Sequence, residues 1–400
     1  MARKRDHTEA QARRLADDLR GVSRLAIGAV TGVTDVVEAM HSTIAGVAPP
    51  LGKARGTRTR GITGIVYRSV RGVTKVVGAG LETALDLAAP LLGPAPTHPA
   101  RENFQAALNG VFGDHLAATG NPLAIPMQWR RQGQALPLAA DPLARALPEA
   151  SPRLLLMIHG LCMTDHQWQR GEHEHGEKLA AEFGLSPVYL RYNSGRRVAE
   201  NGRELAGLLE KLLAAWPVPV ESLTVLGHSM GGLVARSAVD VAESDGLAWR
   251  SRLRTMAFLG TPHHGAPLER AGHLADRLLT LSPYSAPIAR IGGARSAGIQ
   301  DLRHGHVRPA GPRGERQPVP LPREVRTHAI AATATVSESA TRLRGDGLVP
   351  VASALGQHPD RRHGLDLPED RQHLVRGCNH FALLDDPRVY QCLRRIVAQG

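Results

Sequence analysis

The chain has 400 residues, 42% hydrophobic and 22% charged, which excludes a disordered protein and allows one sizeable catalytic domain plus a smaller region. Its formal charge of +12 suggests nucleic acid as a partner, but residues 1–75 hold fourteen Lys and Arg against six Asp and Glu, so most of the excess sits at the N-terminal end. No nucleic-acid motif accompanies it and aromatic residues are only 4%, too few for a stacking platform, so no nucleic acid is expected and anionic lipid headgroups are the better match.

Three cysteines, Cys162, Cys378 and Cys392, are an odd number without metal-ligand spacing and are expected as free thiols. Behind Met1-Ala2-Arg3-Lys4-Arg5 there is no continuous apolar core, so no cleaved secretory signal is expected and the cytoplasm is the default location. Residues 21–39 and 61–79 are similar at an offset of forty, which reads as a repeated helical unit. In the second copy Ile62, Val66, Val70, Val73, Val77 and Leu81 fall at helical spacing, with Arg68, Arg71 and Lys75 on another face. Charge breaks these apolar stretches well before the ~18–20 residues needed to span a membrane. The helices are expected to pack on each other or on the catalytic domain, with peripheral contact to a membrane or lipid body through residues 21–92 as the second reading. Pro90, Pro94, Pro96 and Pro99 mark a stiff linker, dividing the chain into an N-terminal helical region, 1–100, and a catalytic domain, 101–400.

Within 101–400 short apolar runs alternate with helical periodicity, the pattern of a mostly parallel sheet flanked by helices. Residues 125–131 and 134–138 read as an antiparallel hairpin at the sheet edge. Residues 154–158, a continuous apolar run, read as a strand covered on both faces and ending in His159-Gly160. A strand over 188–192 precedes a helix carrying Leu205, Leu208, Leu209, Leu212, Leu213 and Trp216, stopped by Pro217. Residues 223–226 return as a strand into Gly227-His228-Ser229-Met230-Gly231, and helical character resumes at Leu233. Later strands are expected at 255–259, at 327–334 and around Leu374, then a last helix with Val389, Leu393, Ile396 and Val397 on one side. The Arg-, Gly- and Pro-rich stretch 268–322 is placed as a lid-like insertion over the active site.

A serine hydroxyl attacks only when exposed on a tight turn, next to a base and near donors for the oxyanion. Gly227 and Gly231 permit that turn, and strand, Gly-x-Ser-x-Gly, helix is the context the motif requires, so Ser229 is the expected nucleophile. The oxyanion donors are then the amides of Met230 and, after His159-Gly160, Leu161, with the Cys162 amide as the alternative. Cys162 itself is expected to be a small buried residue. Asp346, in Gly345-Asp346-Gly347, is the expected acid, ahead of Asp366, Asp370, Asp385 and Asp386. His380, between the last strand and the last helix, is the expected base, whereas His373 would fall at the far end of that strand. Residues 261–265, Thr-Pro-His-His-Gly, read as a pocket wall and turn. Glu172, His173, Glu174 and His175 lack separated partner ligands and read as a solvated stretch before a helix, so no metal is expected.

Taken together, His159-Gly160-Leu161, Tyr192-Asn193-Ser194-Gly195, the Ser229 motif, residues 261–265, Asp346-Gly347-Leu348-Val349 and Asn379-His380 resemble the α/β-hydrolase superfamily from about Asn109 to Val397. Within it, the chain is similar to the bacterial triacylglycerol lipases and GPI inositol-deacylase-like esterases. The resemblance implies an α/β-hydrolase fold, a Ser229, His380, Asp346 triad, and Leu161 and Met230 as oxyanion donors. Secreted lipases of this kind bind calcium through an aspartate two residues beyond the catalytic histidine; here that position is Ala382, so neither calcium nor a cofactor is expected. The implied activity is hydrolysis of a small-molecule ester or lipid, with thioesterase or acyltransferase use of the same triad as the alternative. A membrane- or lipid-body-associated protein with an inactive hydrolase domain is the alternative from another class.

Overall fold

Among the described residues eight strands form one sheet: β1 (Gln128–Arg131), β2 (Gln134–Ala135), β3 (Arg153–Ile158), β4 (Ser186–Arg191), β5 (Ser222–His228), β6 (Leu253–Leu259), β7 (Arg326–Thr333) and β8 (Gln372–Arg376). They come from a computed structural model that describes residues 99–265, 296–337 and 345–399, with Arg20, Gly21, Ser23 and Arg24. The expected repeat helices with their membrane contact, most of the linker and residues 268–295 of the insertion lie outside the described residues. The chain divides into two compact units, residues 1–98 with 116–124 and residues 99–115 with 125–400; the sheet belongs to the second. Among the described residues no helix is long and apolar enough to cross a membrane.

The strand order is β2-β1-β4-β3-β5-β6-β7-β8, parallel from β4 through β8 and antiparallel where β1 meets β2 and β4. The edge hairpin closes through Gln132 and Gly133, both at positive φ (48° and 72°), a turn whose twist matches that of the strands it joins. β3 lies between β4 and β5, with Leu156 opposite both Val188 and Val225, so helices cover both of its faces and its apolar run is unbroken.

The helices are α1 (Pro99–Ala118), α2 (Ala140–Ala146), α3 (His175–Phe183), α4 (Val198–Ala215), α5 (Met230–Asp245), α6 (Ala297–His304), α7 (Val351–Ala354) and α8 (Pro387–Ala398). α4 buries Leu205, Leu209 and Leu212 and lies so close to α5 that a Cβ on Gly202 would sit 2.3 Å from Ser237 Oγ. α8 starts with Asp386 accepting from the Arg388 amide and Pro387 in the first turn, and buries Val389, Leu393, Ile396 and Val397 against Leu259 and Ile330. The expected strands are all present. α1 was not expected, because small residues share its buried face with Leu108 and Val111 and blur the apolar periodicity: Ala106 and Ala107 are buried, and a Cβ on Gly110 would lie 2.1 Å from Cys162 Sγ. The second half of the insertion is also anchored: Asp301 of α6 accepts from the Val198 amide at 3.0 Å, and Arg308 grips Asp240 of α5 through two 2.7 Å bonds.

A charge network fastens α1 to the sheet. Glu102 lies 2.6 Å from His166 Nε2, 2.8 Å from Arg191 Nη1 and 3.5 Å from Arg130 Nη1, and Arg130 Nε reaches Asp165 at 3.1 Å. Burial alone would raise the Glu102 pKa, but the His166 hydrogen bond and the charges of Arg191 and Arg130 outweigh it and hold the carboxyl well below its usual range. That same hydrogen bond raises His166. Glu102 therefore stabilises the fold above its unfolded pKa and loses that contribution as pH falls through its depressed folded value. His166 stabilises below its unfolded pKa and loses its contribution as pH rises through its raised folded value. Both act fully only between about pH 4.3 and 6.5. Glu102→Ala strands the buried Arg191 guanidinium, leaves Arg130 to Asp165 alone, and is expected to cost about 3 kcal/mol in urea unfolding at pH 6, the low end for a broken buried pair because part of the carboxylate reaches solvent. The cost should shrink at pH 3; an undiminished cost there would contradict an ionic role.

Candidate active site

β5 leads straight into the Ser229 turn. Ser229 takes φ 53° and ψ −123°, a backbone conformation that side-chain-bearing residues rarely adopt, and it caps the N-terminus of α5. Its amide donates to the Leu259 carbonyl on β6 at 2.9 Å, and its carbonyl accepts from the Gly232 amide at 3.1 Å. The flanking glycines are required by contact. A Cβ on Gly227 would lie 2.7 Å from Gly232 Cα, and one on Gly231 would lie 2.2 Å from the Ile158 carbonyl oxygen at the end of β3. The elbow is thereby wedged between β3 and β6.

Asp346 and His380 come together from the loops that follow β7 and β8. Asp346 Oδ1 accepts from the amides of Leu348 (2.9 Å) and Val349 (2.7 Å), which closes the glycine-flanked turn around it. Its Oδ2 lies 2.7 Å from His380 Nδ1, and its carbonyl accepts from the His380 amide at 3.1 Å. Both residues are buried, as is Ser229. A proton on Nδ1 shared with Asp346 leaves the lone pair on His380 Nε2, which is buried and has no hydrogen-bond partner among the described residues. Asn379 accepts from the amides of Phe381 and Ala382 and so folds the chain just after the histidine. The competitors lie elsewhere: Asp386 caps α8, Asp366 is exposed, and His373, early in β8, stacks on His328 with centroids 5.6 Å apart.

Two residues that hold this arrangement were missed from the sequence. Gly260, directly after β6, has φ 56°, and a Cβ there would lie 3.1 Å from both Asp346 Oδ2 and His380 Nδ1. The available signal was a glycine ending an apolar strand. His228, beside the nucleophile, lies 3.2 Å from the His380 carbonyl through Nε2, with the two rings 4.8 Å apart. Burial, then the neighbouring His380, pushes the His228 pKa well below its ordinary value, so the ring stays neutral and donates from Nε2.

Of the expected oxyanion donors, Met230 is the first residue of α5, where an amide has no acceptor within its helix. The Leu161 amide also gives no hydrogen bond to a described residue. The Cys162 amide, the alternative, is already committed to Ser194 Oγ at 3.0 Å. Gly160 brings this loop against the elbow: a Cβ there would lie 3.1 Å from Ser229 Cβ. All three cysteines are free and buried, and burial pushes the Cys162 thiol up to about 12, which removes it as a competing nucleophile.

The stretch 172–175 is only partly solvated: Glu172 is exposed as expected, His173 and Glu174 are half-buried, and His175 is not solvated. His175 is buried in the first turn of α3; His173 Nε2 lies 2.8 Å from its Nδ1, its Nε2 donates to the Leu383 carbonyl at 3.0 Å, and Glu174 takes the Tyr189 hydroxyl. Packing of α3 against the loop that follows His380 overrides the polarity of these residues. Among the described residues no group of three His, Cys, Asp or Glu side chains could hold a metal ion.

Residues 150–284 match the family model described as a PGAP1-like alpha/beta domain, and the strand order with a strained serine between β5 and α5 agrees with that match. The fold is that of an α/β hydrolase. The motif-based resemblance is borne out at that level. Solved structures similar to the hydrolase domain include a lipase-esterase related protein from Clostridium acetobutylicum (14% identity, 62% of this chain and 96% of that one, TM-score 0.36). A thermophilic esterase from Thermogutta terrifontis is 15% identical over 68% of this chain and 93% of its own, with a TM-score of 0.36. The RedJ thioesterase from the prodiginine pathway of Streptomyces coelicolor is 17% identical over 63% and 87%, with a TM-score of 0.37. No curated protein sequence matches the chain.

Gly260→Ala is expected to separate His380 from Asp346 without unfolding the hydrolase domain. In proton NMR the low-field resonance of the His380 Nδ1 proton should vanish while circular dichroism is unchanged. A resonance that persists would contradict the close approach at Gly260.

Proposed function

We propose that the hydrolase domain cleaves carboxylic esters through a Ser229, His380, Asp346 triad and an acyl-enzyme intermediate. The observation that carries this reading is the hydrogen-bonded Asp346–His380 pair with its Nε2 lone pair unengaged, next to a serine at positive φ. The two halves are linked through β6: Leu259 accepts from the Ser229 amide, and Gly260, the next residue, packs on the pair.

In the first step Ser229 Oγ attacks the ester carbonyl and its proton passes to His380 Nε2. The oxyanion is held by the Leu161 and Met230 amides, and the imidazolium is steadied by Asp346 across the Nδ1 bond. Collapse of the tetrahedral intermediate breaks the carbonyl–alkoxy bond, and His380 gives its proton to the departing alcohol. Water then loses a proton to His380 as it attacks the acyl carbonyl, the acid leaves, and Ser229 recovers its proton. In the free protein the Ser229–His380 hydrogen bond is not closed, a common state of catalytic bonds before substrate tightens them. The substrate is a small-molecule ester or lipid. A cytoplasmic location with peripheral membrane or lipid-body contact through residues 21–92 belongs to the same proposal, supported by the free thiols and the basic N-terminal end.

Hydrolysis of p-nitrophenyl esters of graded chain length tests the reading. Ser229→Ala should lower kcat by roughly 10⁶-fold and Asp346→Asn by roughly 10⁴-fold in a folded protein. Turnover unchanged in Ser229→Ala would contradict the proposal, and turnover unchanged in Asp346→Asn would move the acid elsewhere.

A further inference from the structure

Seven residues beyond Ser229, about 10 Å along α5, Arg236 is buried inside the hydrolase domain. No carboxylate of a described residue pairs with it. Its Nη2 donates to the Val319 carbonyl and its Nη1 to His263 Nδ1 at 3.4 Å, while Nε has no hydrogen-bond partner among the described residues. Asp240, one turn further on, is taken up by the two bonds from Arg308. Burial, then the charge of Arg316, pulls the Arg236 pKa down to about 9, which still leaves it cationic at neutral pH.

Arg236 lines a cavity of about 180 Å³ together with His263, His264, Arg316, Arg361 and His363. Arg316 donates from Nη1 to the His263 carbonyl (2.9 Å) and to His264 Nδ1 (2.7 Å). Each arginine thus occupies the Nδ1 of a histidine. His263 and His264, both kept neutral by burial, therefore carry their protons on Nε2. His263 Nε2 is itself buried without a partner among the described residues. Two further charged residues line the cavity: Arg362, paired with Asp360 at 2.7 Å, and Asp366, which forms no ion pair with a described residue. The lining therefore offers unused N–H donors and positive charge in excess of its single carboxylate.

A buried guanidinium without a counter-ion is unfavourable unless an anion joins it. We propose that this cavity binds a phosphate-type oxyanion. One guanidinium fork would suffice for a planar carboxylate, whereas donors contributed by α5, the loop after β6, and the segments around 316 and 361–363 suit a tetrahedral group. The cavity is smaller than the roughly 300–1,000 Å³ of sites for larger organic ligands, which fits a lone phosphate or a phosphomonoester head. That head comes either from free phosphate or from a phospholipid.

Titration calorimetry of the full chain with inorganic phosphate, at an ionic strength held constant with chloride, tests the site. Saturable binding to a single site is expected, weakened about tenfold or more by Arg316→Ala and abolished by Arg236→Met. Arg236→Met exchanges a buried charge for an apolar chain of similar length, so its Tm should not fall; the half-buried Arg316 serves as the test if that variant does not fold. Co-sedimentation with phosphatidylcholine vesicles containing phosphatidic acid separates the sources. Phosphate binding that responds to the variants assigns the site to free phosphate, and vesicle binding alone, lost in Arg316→Ala, assigns it to a headgroup. No binding in either assay, or binding unchanged in every folded variant, would overturn the proposal.

Discussion

The hydrolase domain depends on one constraint: the backbone at Ser229 turns through positive φ between β5 and α5, and neighbouring elements crowd that turn from both sides. Gly231 lies against the carbonyls of Ile158 and His159, Gly227 against Gly232, and Gly160 against the Ser229 side chain. A side chain at 231 or 160 would push the elbow away from β3 or from the loop bearing Leu161, and one at 227 would push the start of α5 off β5. The strain is held because β5 is paired on both sides, with β3 and β6, over most of its length. The position of Ser229 is therefore a property of the sheet centre, and sequence changes at the edges should leave it in place.

Hydrogen bonds order the protons of the histidines around this elbow. Asp346 takes the Nδ1 side of His380, so Nε2 is the free face of that ring, and His228 stays neutral and spends its own Nε2 proton on the His380 carbonyl. The neutral His228 matters because a second positive charge 4.8 Å from His380 would oppose protonation of that ring, the proposed base. Further from the centre, the buried Arg236 is the opposite case, a cation that no carboxylate of a described residue pairs directly.

Much of the fold was legible in the sequence, because strand-forming runs such as 154–158 and the spacing of Leu205, Leu209 and Leu212 are period signals that packing then respects, and of the expected site residues the fold pairs Asp346 with His380. What escaped detection depends on contacts between distant residues. α1 has only a weak apolar periodicity and is held also by Gly110 against Cys162 and by Glu102 among Arg130, Arg191 and His166. Gly260 matters only because Asp346 and His380, far along the chain, arrive beside it. The stretch 172–175 is polar by composition and yet partly buried, since Leu383 supplies an acceptor that no local pattern announces. Residues that serve as partners are visible only once the topology has brought them together.

The central claim is that Ser229 is the nucleophile, and the most direct test is covalent capture. Intact-mass analysis and peptide mapping after treatment with a fluorophosphonate should find a single adduct, on Ser229, that forms more slowly in Gly260→Ala. An adduct on another residue, or none on the folded protein, would contradict the account.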